Sequence, residues 1–352
     1  MAIKMAIIGY GGMGNWHHSN IKKSVPEIQV IGAYDIRPEL AAKMAENGIH
    51  CYKTAQELYD DPAIDLVLVS TPNDFHKGYS IAALRAGKNV ISEKPVTLNS
   101  KELEEIMAVS KETGKLFTIH QNRRWDSDFL TIRKILDDGI LKNPYSIESR
   151  IQGSRGGLHG WRGYKQNGGG MVLDWGIHIL DQAMWLFKDH KVVSVNAHLH
   201  QVFAPEVDDN FTAMVRFDNG TSYLLNVAMN CFILLPRWHM SCEDGTAVIE
   251  NWEMDGKIVK LADAATLDWS EDIVYTAAGP TRSMAPRPKD TTKELELPKV
   301  IGDSLNLHRN VAATIEGKAE LIVKPEQTLR VMKVIDLIFQ SSETGEAIKC
   351  SI

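Results

Sequence analysis

The chain has 352 residues, more than one ordinary domain holds, which predicts two domains. Apolar residues make up 44% and charged residues 24%, the balance of a soluble globular protein. The formal charge is −6 with no Lys/Arg-rich run, so no nucleic-acid or anionic-membrane surface is expected, and no apolar run approaches the ~20 residues of a membrane span.

Ala2 to Ile8 reads as a buried parallel strand, although at about six apolar residues it is too short for a signal-peptide core. GYGGMG follows, with glycines at 9, 11 and 14 in the spacing G-x-G-x-x-G. A helix then runs to about Ser24, and the next strand, Val30 to Tyr34, ends at Asp35, 21 residues after Gly14. Gly9 allows a tight turn, Gly11 lets the backbone approach a pyrophosphate, and Gly14 lets the helix pack close to the strand. Gly12 and Met13 share that turn, where the helix N-terminus offers unpaired N–H groups to phosphates. Strand, glycines, helix, strand and terminal acid in this order predict a dinucleotide site. Asp35, followed by Ile36 and Arg37, accepts from ribose hydroxyls and repels a 2′-phosphate. That favours NAD, and Arg37 leaves NADP possible.

The alternation continues with a strand at 66–70, the turn TPNDFH, a helix from about Asp74 to Ala86, and a strand from Asn89 to Ser92 that runs into Glu93-Lys94-Pro95. A helix over about Ser100–Thr113 and a strand over Leu116–His120 complete an α/β, doubly wound parallel sheet. Ligands of such sheets sit at the C-terminal strand ends. Candidate cofactor neighbours are therefore Ser70, Thr71, Pro72, Asn73, His76, Glu93, Lys94 and Gln121. His17 and His18, early in the first helix, either approach the phosphates or pack.

After Asn122 the pattern changes. A helix over about Asp126–Asp138 ends at Gly139, and Tyr145–Gln152 reads as a strand. Residues 153–170 hold eight glycines around Trp161, Arg162 and Tyr164 and predict a mobile loop. GGGMVLDWGIHILD then opens a helix over about Met171–Phe187. Leu173, Ile177, Leu180 and Met184 form its packing side, while Asp174, His178 and Asp181 share another. Strand-like runs near 192–203, 209–218, 221–230, 237–243 and 246–251 are split by Asn219-Gly220 and Asp244-Gly245, which predicts a large, mostly antiparallel sheet. Residues 263–300 are proline-rich (Pro280, Pro286, Pro288, Pro298) and expected to be irregular. Helices near Ser304–Glu316 and Pro325–Ser342 close the chain. The scattered Cys51, Cys231, Cys242 and Cys350 suggest reduced thiols and a cytoplasmic setting. His198-x-His200 lacks further ligands at metal spacing, so no metal is expected.

GYGGMG, STPNDFH, EKP, GGGMVLDWGIHILD and KPEQTLRVMKVIDLIFQSSETGEAI, in this order, resemble the Gfo/Idh/MocA family of NAD(P)-dependent oxidoreductases. The resemblance spans nearly the whole chain and is weakest over 153–167 and 263–300. E-K-P and G-G-x-x-x-D-x-G-x-H are its most specific parts. It implies an N-terminal Rossmann domain (1–122) and a C-terminal α+β domain (123–352) built on a large open sheet, with the last helix placed to pack back on the first domain. That sheet often mediates homodimers or homotetramers in the family, whose members mostly act on sugars and polyols. By motif, Lys94, Asp174 and His178 resemble the catalytic set.

Oxidising a secondary alcohol sends a hydride to the nicotinamide and a proton to a base. His178 suits that base without a large perturbation. Asp174 either orients the imidazole or holds a substrate hydroxyl. Lys94 stabilises a developing alkoxide and, if desolvated, becomes a base itself. Asn122, Arg123, Trp161, Arg162, Trp175, Trp238 and His239 are candidates for a carbohydrate pocket. Asp181 and Gln182 read as structural. The leading expectation is an NAD-dependent dehydrogenase of a ring hydroxyl in a sugar, cyclic polyol or glycoside. The alternatives are a redox-neutral glycosidase with tightly bound NAD and, weakest, an NAD-binding sensor.

Overall fold

Strands buried on both faces read as apolar runs, and the first third of the chain supplies four: Ile3–Ile8 (β1), Leu66–Val69 (β4), Asn89–Ser92 (β5) and Phe117–Ile119 (β6). The computed structural model describes residues 2–262, 273–281 and 289–352. With Ile28–Tyr34 (β2) and His50–Cys51 (β3), these strands make a six-stranded parallel sheet in the order β3-β2-β1-β4-β5-β6. Ile8 pairs with Tyr34 and Val69, and Val69 with Ser92, so these strands finish level. Their C-terminal ends form one edge, where the glycine turn, Asp35, Ser70 and Glu93 emerge.

The connecting helices are Gly12–Ser24 (α1), Leu40–Glu46 (α2), Ala55–Asp60 (α3), His76–Arg85 (α4) and Ser100–Thr113 (α5). The sequence did not suggest α2 or α3. At seven and six residues they are too short to show a helical period.

A turn at Asn122–Trp125 and the helix Ser127–Asp137 (α6) lead to the second sheet. Its strands are Pro144–Gln152 (β7), Val192–His200 (β8), Asn210–Phe217 (β9), Ser222–Ala228 (β10), Trp238–Cys242 (β11), Gly245–Ile249 (β12), Gly256–Leu261 (β13), Thr292–Leu295 (β16) and Ile348–Lys349 (β17). Its order is β16-β13-β12-β11-β7-β10-β9-β8-β17, and only β7 and β10 pair in parallel. Burial alternates along the strands: Phe211, Ala213, Val215 and Phe217 of β9, and Tyr223, Leu225 and Val227 of β10, all point into the core.

The helices Ile177–Leu186 (α7) and Pro325–Thr344 (α9) cover that face, while Asn306–Ile315 (α8), which precedes α9, packs against β2 and the Asn122–Trp125 turn. α9 also packs against α5, and the Thr118 hydroxyl donates to the Val323 carbonyl (2.7 Å), so the two sheets share one core.

Two expectations change. The proline-rich stretch is not wholly irregular: Val274–Thr276 (β14) pairs with Gly279–Thr281 (β15), and β16 extends the large sheet. Pro280 lies on that two-stranded ribbon, where a missing N–H is tolerated. Pro286 and Pro288 fall outside the described residues. Met171–Phe187 is also not one regular α-helix, since Val172–Gly176 forms a π-helical turn before α7 begins. Asp208 fastens its start, with Oδ2 accepting from the Val172 N–H (2.7 Å) and its carbonyl from the Met171 N–H (2.9 Å). Gly176 lets the turn close on β9, for a Cβ there would sit 2.8 Å from the Phe211 ring.

Candidate active site

The glycine turn is shaped by what surrounds it. Gly9 has φ +89, and a Cβ on it would lie 2.6 Å from the Ser70 carbonyl oxygen. A Cβ on Gly14 would meet the Gly9 carbonyl oxygen at 2.1 Å, so α1 can only start this close to β1 with glycine there. α1 has no side-chain cap and no acid in its first turn, leaving its free N–H groups and positive end to the cleft. The cleft has a volume of about 630 Å³ and is lined by Gly9, Gly11, Gly12, Met13, Asp35, Ile36, Arg37, Ser70, Thr71, Pro72 and Asn73 from the first sheet. An uncapped helix start above open glycines fits a pyrophosphate. Asp35 sits at the end of β2 and is already engaged. Its oxygens accept from the Tyr10 N–H (2.8 Å), the Arg37 N–H (3.0 Å) and the Arg37 guanidinium (3.0 and 3.1 Å). Burial pushes this carboxyl up, but the Arg37 and Tyr10 hydrogen bonds outweigh it and hold it below its ordinary value.

The floor of the cleft joins the two sheets. Lys94, past the end of β5, donates from Nζ to Asp174 Oδ1 (2.7 Å) and to the Asp174 carbonyl (2.9 Å). Arg162 Nε reaches Asp174 Oδ2 at 3.3 Å. Burial raises the Asp174 carboxyl, yet the two cations bring it below the usual carboxylate range. His178 lies one turn on, 5% exposed, with Nδ1 buried and unpartnered. Burial, then the Lys94 and Arg123 charges, hold this imidazole well below the ordinary histidine value, so it is neutral near pH 7. The Trp175 ring stands edge-on to it (centroids 5.9 Å apart), and the Arg123 guanidinium stacks 4.2 Å from Trp175. The floor therefore presents an ammonium and a carboxylate side by side, with the neutral imidazole buried one helical turn behind the carboxylate.

Three family models match in succession: the oxidoreductase family NAD-binding Rossmann fold over residues 3–121, the GFO/IDH/MocA C-terminal domain over 129–248, and the oxidoreductase family C-terminal alpha/beta domain over 255–350. The structure of an NAD-binding protein from Listeria innocua superposes with a TM-score of 0.94 at 37% identity, covering 99% of both chains. The chain belongs to the Gfo/Idh/MocA oxidoreductase family. It is an NAD(P)-dependent oxidoreductase. Among curated relatives, the scyllo-inositol 2-dehydrogenase (NADP(+)) of Bacillus subtilis is 28% identical over 98% of this chain and 95% of that protein. The D-glucoside 3-dehydrogenase of Escherichia coli is 26% identical over 99% and 97%. No helix among the described residues is long and apolar enough to cross a membrane.

Within this Gfo/Idh/MocA fold several sequence candidates lie elsewhere. His76 is 1% exposed, its ring nitrogens facing the Pro95 (2.7 Å) and Thr71 (2.9 Å) carbonyls, so it braces two turns behind the cleft wall. Gln121 is buried at 1% and is not on the wall. Trp238 is fully buried, its indole N–H bonded to Asp128 (2.8 Å), which makes it core. His239 follows it along β11 and so faces the opposite side of the sheet, away from the helices. Asp174 does not hold the His178 imidazole, because its carboxylate is given to Lys94 and Arg162. Asp181 is bonded to Arg124 Nε and Nη2 (2.7 Å each), and Gln182 donates to the Arg123 carbonyl (2.7 Å). His18 bonds the Tyr10 hydroxyl (2.6 Å), and His17 turns away from the phosphate seat toward Glu93.

In the glycine-rich loop 153–170 only the last three glycines are crowded by packing, while a Cβ on Gly153, Gly157 or Gly160 would meet nothing within 4 Å. A Cβ on Gly169 would lie 2.2 Å from the Arg162 carbonyl, and one on Gly170 would lie 2.3 Å from Asp208 Oδ1, so these glycines seat protein rather than ligand. The loop brings Trp161 and Arg162 onto the cleft wall. Tyr34, Phe75 and Tyr79 also line the cleft and were missed. Tyr34 precedes Asp35 at a strand end, and Phe75 and Tyr79 are one helical turn apart, so the strand-end rule and an i,i+4 aromatic pair would have found them.

Proposed function

We propose that this enzyme is a dehydrogenase acting on a CH–OH group, a ring hydroxyl of a sugar, cyclic polyol or glycoside, with the first 122 residues as the cofactor domain and the remainder as the substrate domain. The observation that carries the reading is the Lys94–Asp174 ion pair at the cleft floor, which ties the cofactor half to the helix bearing His178. A nicotinamide dinucleotide seated on the glycine turn supplies the hydride acceptor. Lys94 then holds the reacting oxygen and stabilises its developing negative charge. His178, neutral near pH 7, takes the hydroxyl proton, and Asp174 keeps the Lys94 ammonium in place. Arg162, Trp161, Arg123 and Trp175 are assigned to the neutral, hydroxyl-rich ligand, the aromatic faces meeting C–H groups. The names of the inositol and glucoside dehydrogenase relatives support this class of substrate.

The test is a screen of inositols, sugars and glycosides with NAD and NADP, following reduced cofactor. One substrate should be oxidised with stoichiometric reduced cofactor, and Lys94→Met should lower kcat/KM by ~10²–10³ while cofactor binding persists. Sugar release from a glycoside without net reduced cofactor would replace this reading with a redox-neutral one. We also propose that copies associate through the second sheet. Phe232 (79%), Ile233 (85%), Leu234 (61%) and Leu235 (53%) stand exposed in the connection between β10 and β11, an apolar patch that suits such a contact. Sedimentation at the monomer mass would exclude it.

A further inference from the structure

Behind the cleft floor three histidines from distant parts of the chain meet: His17 on α1, His120 directly after β6, and His308 on α8. None is more than 1% exposed. One ring nitrogen from each lies within 4.8 Å of the other two, and His17 Nδ1 is 3.1 Å from His308 Nε2. We propose that these imidazoles form a binding site for a divalent first-row transition-metal ion, best met by Zn²⁺, with the Glu93 carboxylate as the outer group that orients two of them.

The hydrogen-bond pattern assigns the lone pairs. Glu93 Oε1 faces both His17 Nε2 (2.7 Å) and His120 Nδ1 (3.0 Å), while Oε2 accepts the Lys94 backbone N–H (3.1 Å). An ionised carboxylate only accepts, so the protons of these two rings sit on the nitrogens facing it. The lone pairs are left on His17 Nδ1 and His120 Nε2. A chain of imidazole hydrogen bonds would satisfy His17 from His308 but leaves His120 Nε2 buried without a partner, as it stands, alongside His308 Nδ1. Buried polar atoms are rarely left so. A cation takes up the His120 Nε2 lone pair, and the two imidazoles that donate their other N–H to Glu93 match the usual outer arrangement of a metal–histidine site. Neutral nitrogen donors suit zinc, and a dication gives the buried Glu93 a countercharge, since the Lys94 ammonium is committed to Asp174. The three ligands lie up to 291 residues apart, which is why the local pair His198-x-His200 drew attention in the sequence instead.

The site lies below the surface, so the ion enters as the chain folds. The full-length chain, without a polyhistidine tag, is to be isolated from zinc-supplemented cells and analysed for metal. It is then unfolded with chelator and refolded with Zn²⁺, with Co²⁺, or with neither. The expected result is about one zinc per chain and a thermal midpoint that rises when refolding includes zinc. The Co²⁺ form should show the visible bands of a low-coordinate nitrogen site. His120→Gln and His308→Gln should each lower metal content at least about tenfold, while a His198→Ala/His200→Ala variant keeps it. Less than about a tenth of an ion per chain after refolding in excess zinc, or metal that follows His198 and His200, overturns the proposal. If the glutamine variants do not fold, the Co²⁺ spectrum of the unaltered chain decides: low-coordinate bands support the site, and their absence sinks it. None of these readouts depends on dehydrogenase activity.

Discussion

Asp181 shares its helix with His178 and looks like a third member of the acid–imidazole set, yet its replacement should destabilise the protein rather than inactivate it. Its carboxylate and the Arg124 guanidinium, each side chain 2% exposed, meet through two bonds of 2.7 Å. Removing one partner of a buried pair costs ~3–5 kcal/mol, because the other charge stays desolvated. Arg124 keeps Gln327 Oε1 (2.8 Å) and its stacking on Trp185 (4.3 Å to the ring centroid), which places Asp181→Ala toward the lower end. An unfolding entropy of ~2.1 cal/mol/K per residue over 352 residues gives ~0.7 kcal/mol/K, so the thermal midpoint should fall by about 4–7 °C. The pair Arg124→Met/Asp181→Leu should recover most of that loss, since it removes both charges together. Calorimetry gives the midpoint, and kcat/KM is measured well below it. A ~100-fold loss of kcat/KM with an unchanged midpoint would refute the reasoning and return Asp181 to the chemistry.

Three further outcomes are expected. Burial pushes the Asp208 carboxyl up to about 6 from 3.8, against the Val172 and Met171 N–H bonds, so its folded form holds the proton more tightly than the unfolded chain does. Its ionised form therefore weighs against folding by ~3 kcal/mol above pH 6, a burden lost as pH falls toward 4, and Asp208→Asn should stabilise at pH 8 and flatten urea midpoints between pH 6 and 4. Destabilisation at pH 8 would argue against it. His178 is held well below the ordinary histidine value by burial, then by Lys94 and Arg123. The unfolded chain takes that proton first, so stability from this group is full at neutral pH and declines as pH drops below about 6.5. The acid limb of kcat/KM should lie below that value, and Arg123→Met should move it to higher pH; an unmoved limb would separate it from His178. Arg37 neutralises Asp35 at the ribose end of the cleft, so Arg37→Ser should lower kcat/KM with NADP about tenfold or more relative to NAD, one charge-assisted contact's worth. Equal effects on both cofactors would show that Arg37 does not discriminate.

What the chain disclosed depended on how local each requirement is. The turn at Gly9–Gly14 is a backbone demand, and backbone demands surface as glycine at fixed spacing. The catalytic candidates Lys94 and Asp174 were legible because each sits inside a short motif, though their direct ion pair, across 80 residues, was not. Strand ends fixed much of the cleft wall; of the three aromatics missed there, Tyr34 follows from its strand end and Phe75 and Tyr79 from their i,i+4 spacing. Trp238 and His239 misled because a residue type suited to sugars is equally suited to a core, and only the alternation of β11 against a covered face tells the two apart. The loop 153–170 read as mobile throughout, whereas its glycines at 168–170 are each crowded by a neighbour that sequence distance hides. The His17–His120–His308 meeting left no local signal at all.

The π-helical turn at Val172–Gly176 gives the active site an unusual dependence on residue count. Relative to a regular helix it accommodates one extra residue, and one residue of helix is ~100° of rotation. Deleting Leu173 there would return the segment to ordinary α geometry at the cost of one packing side chain, with Lys94, Asp174 and His178 all kept. Asp174 would then swing away from Lys94 with α7 still seated on its sheet, and no substitution would have touched either partner. In this enzyme a change of chain length by one is a sharper way to uncouple the two halves of the site than a change of residue.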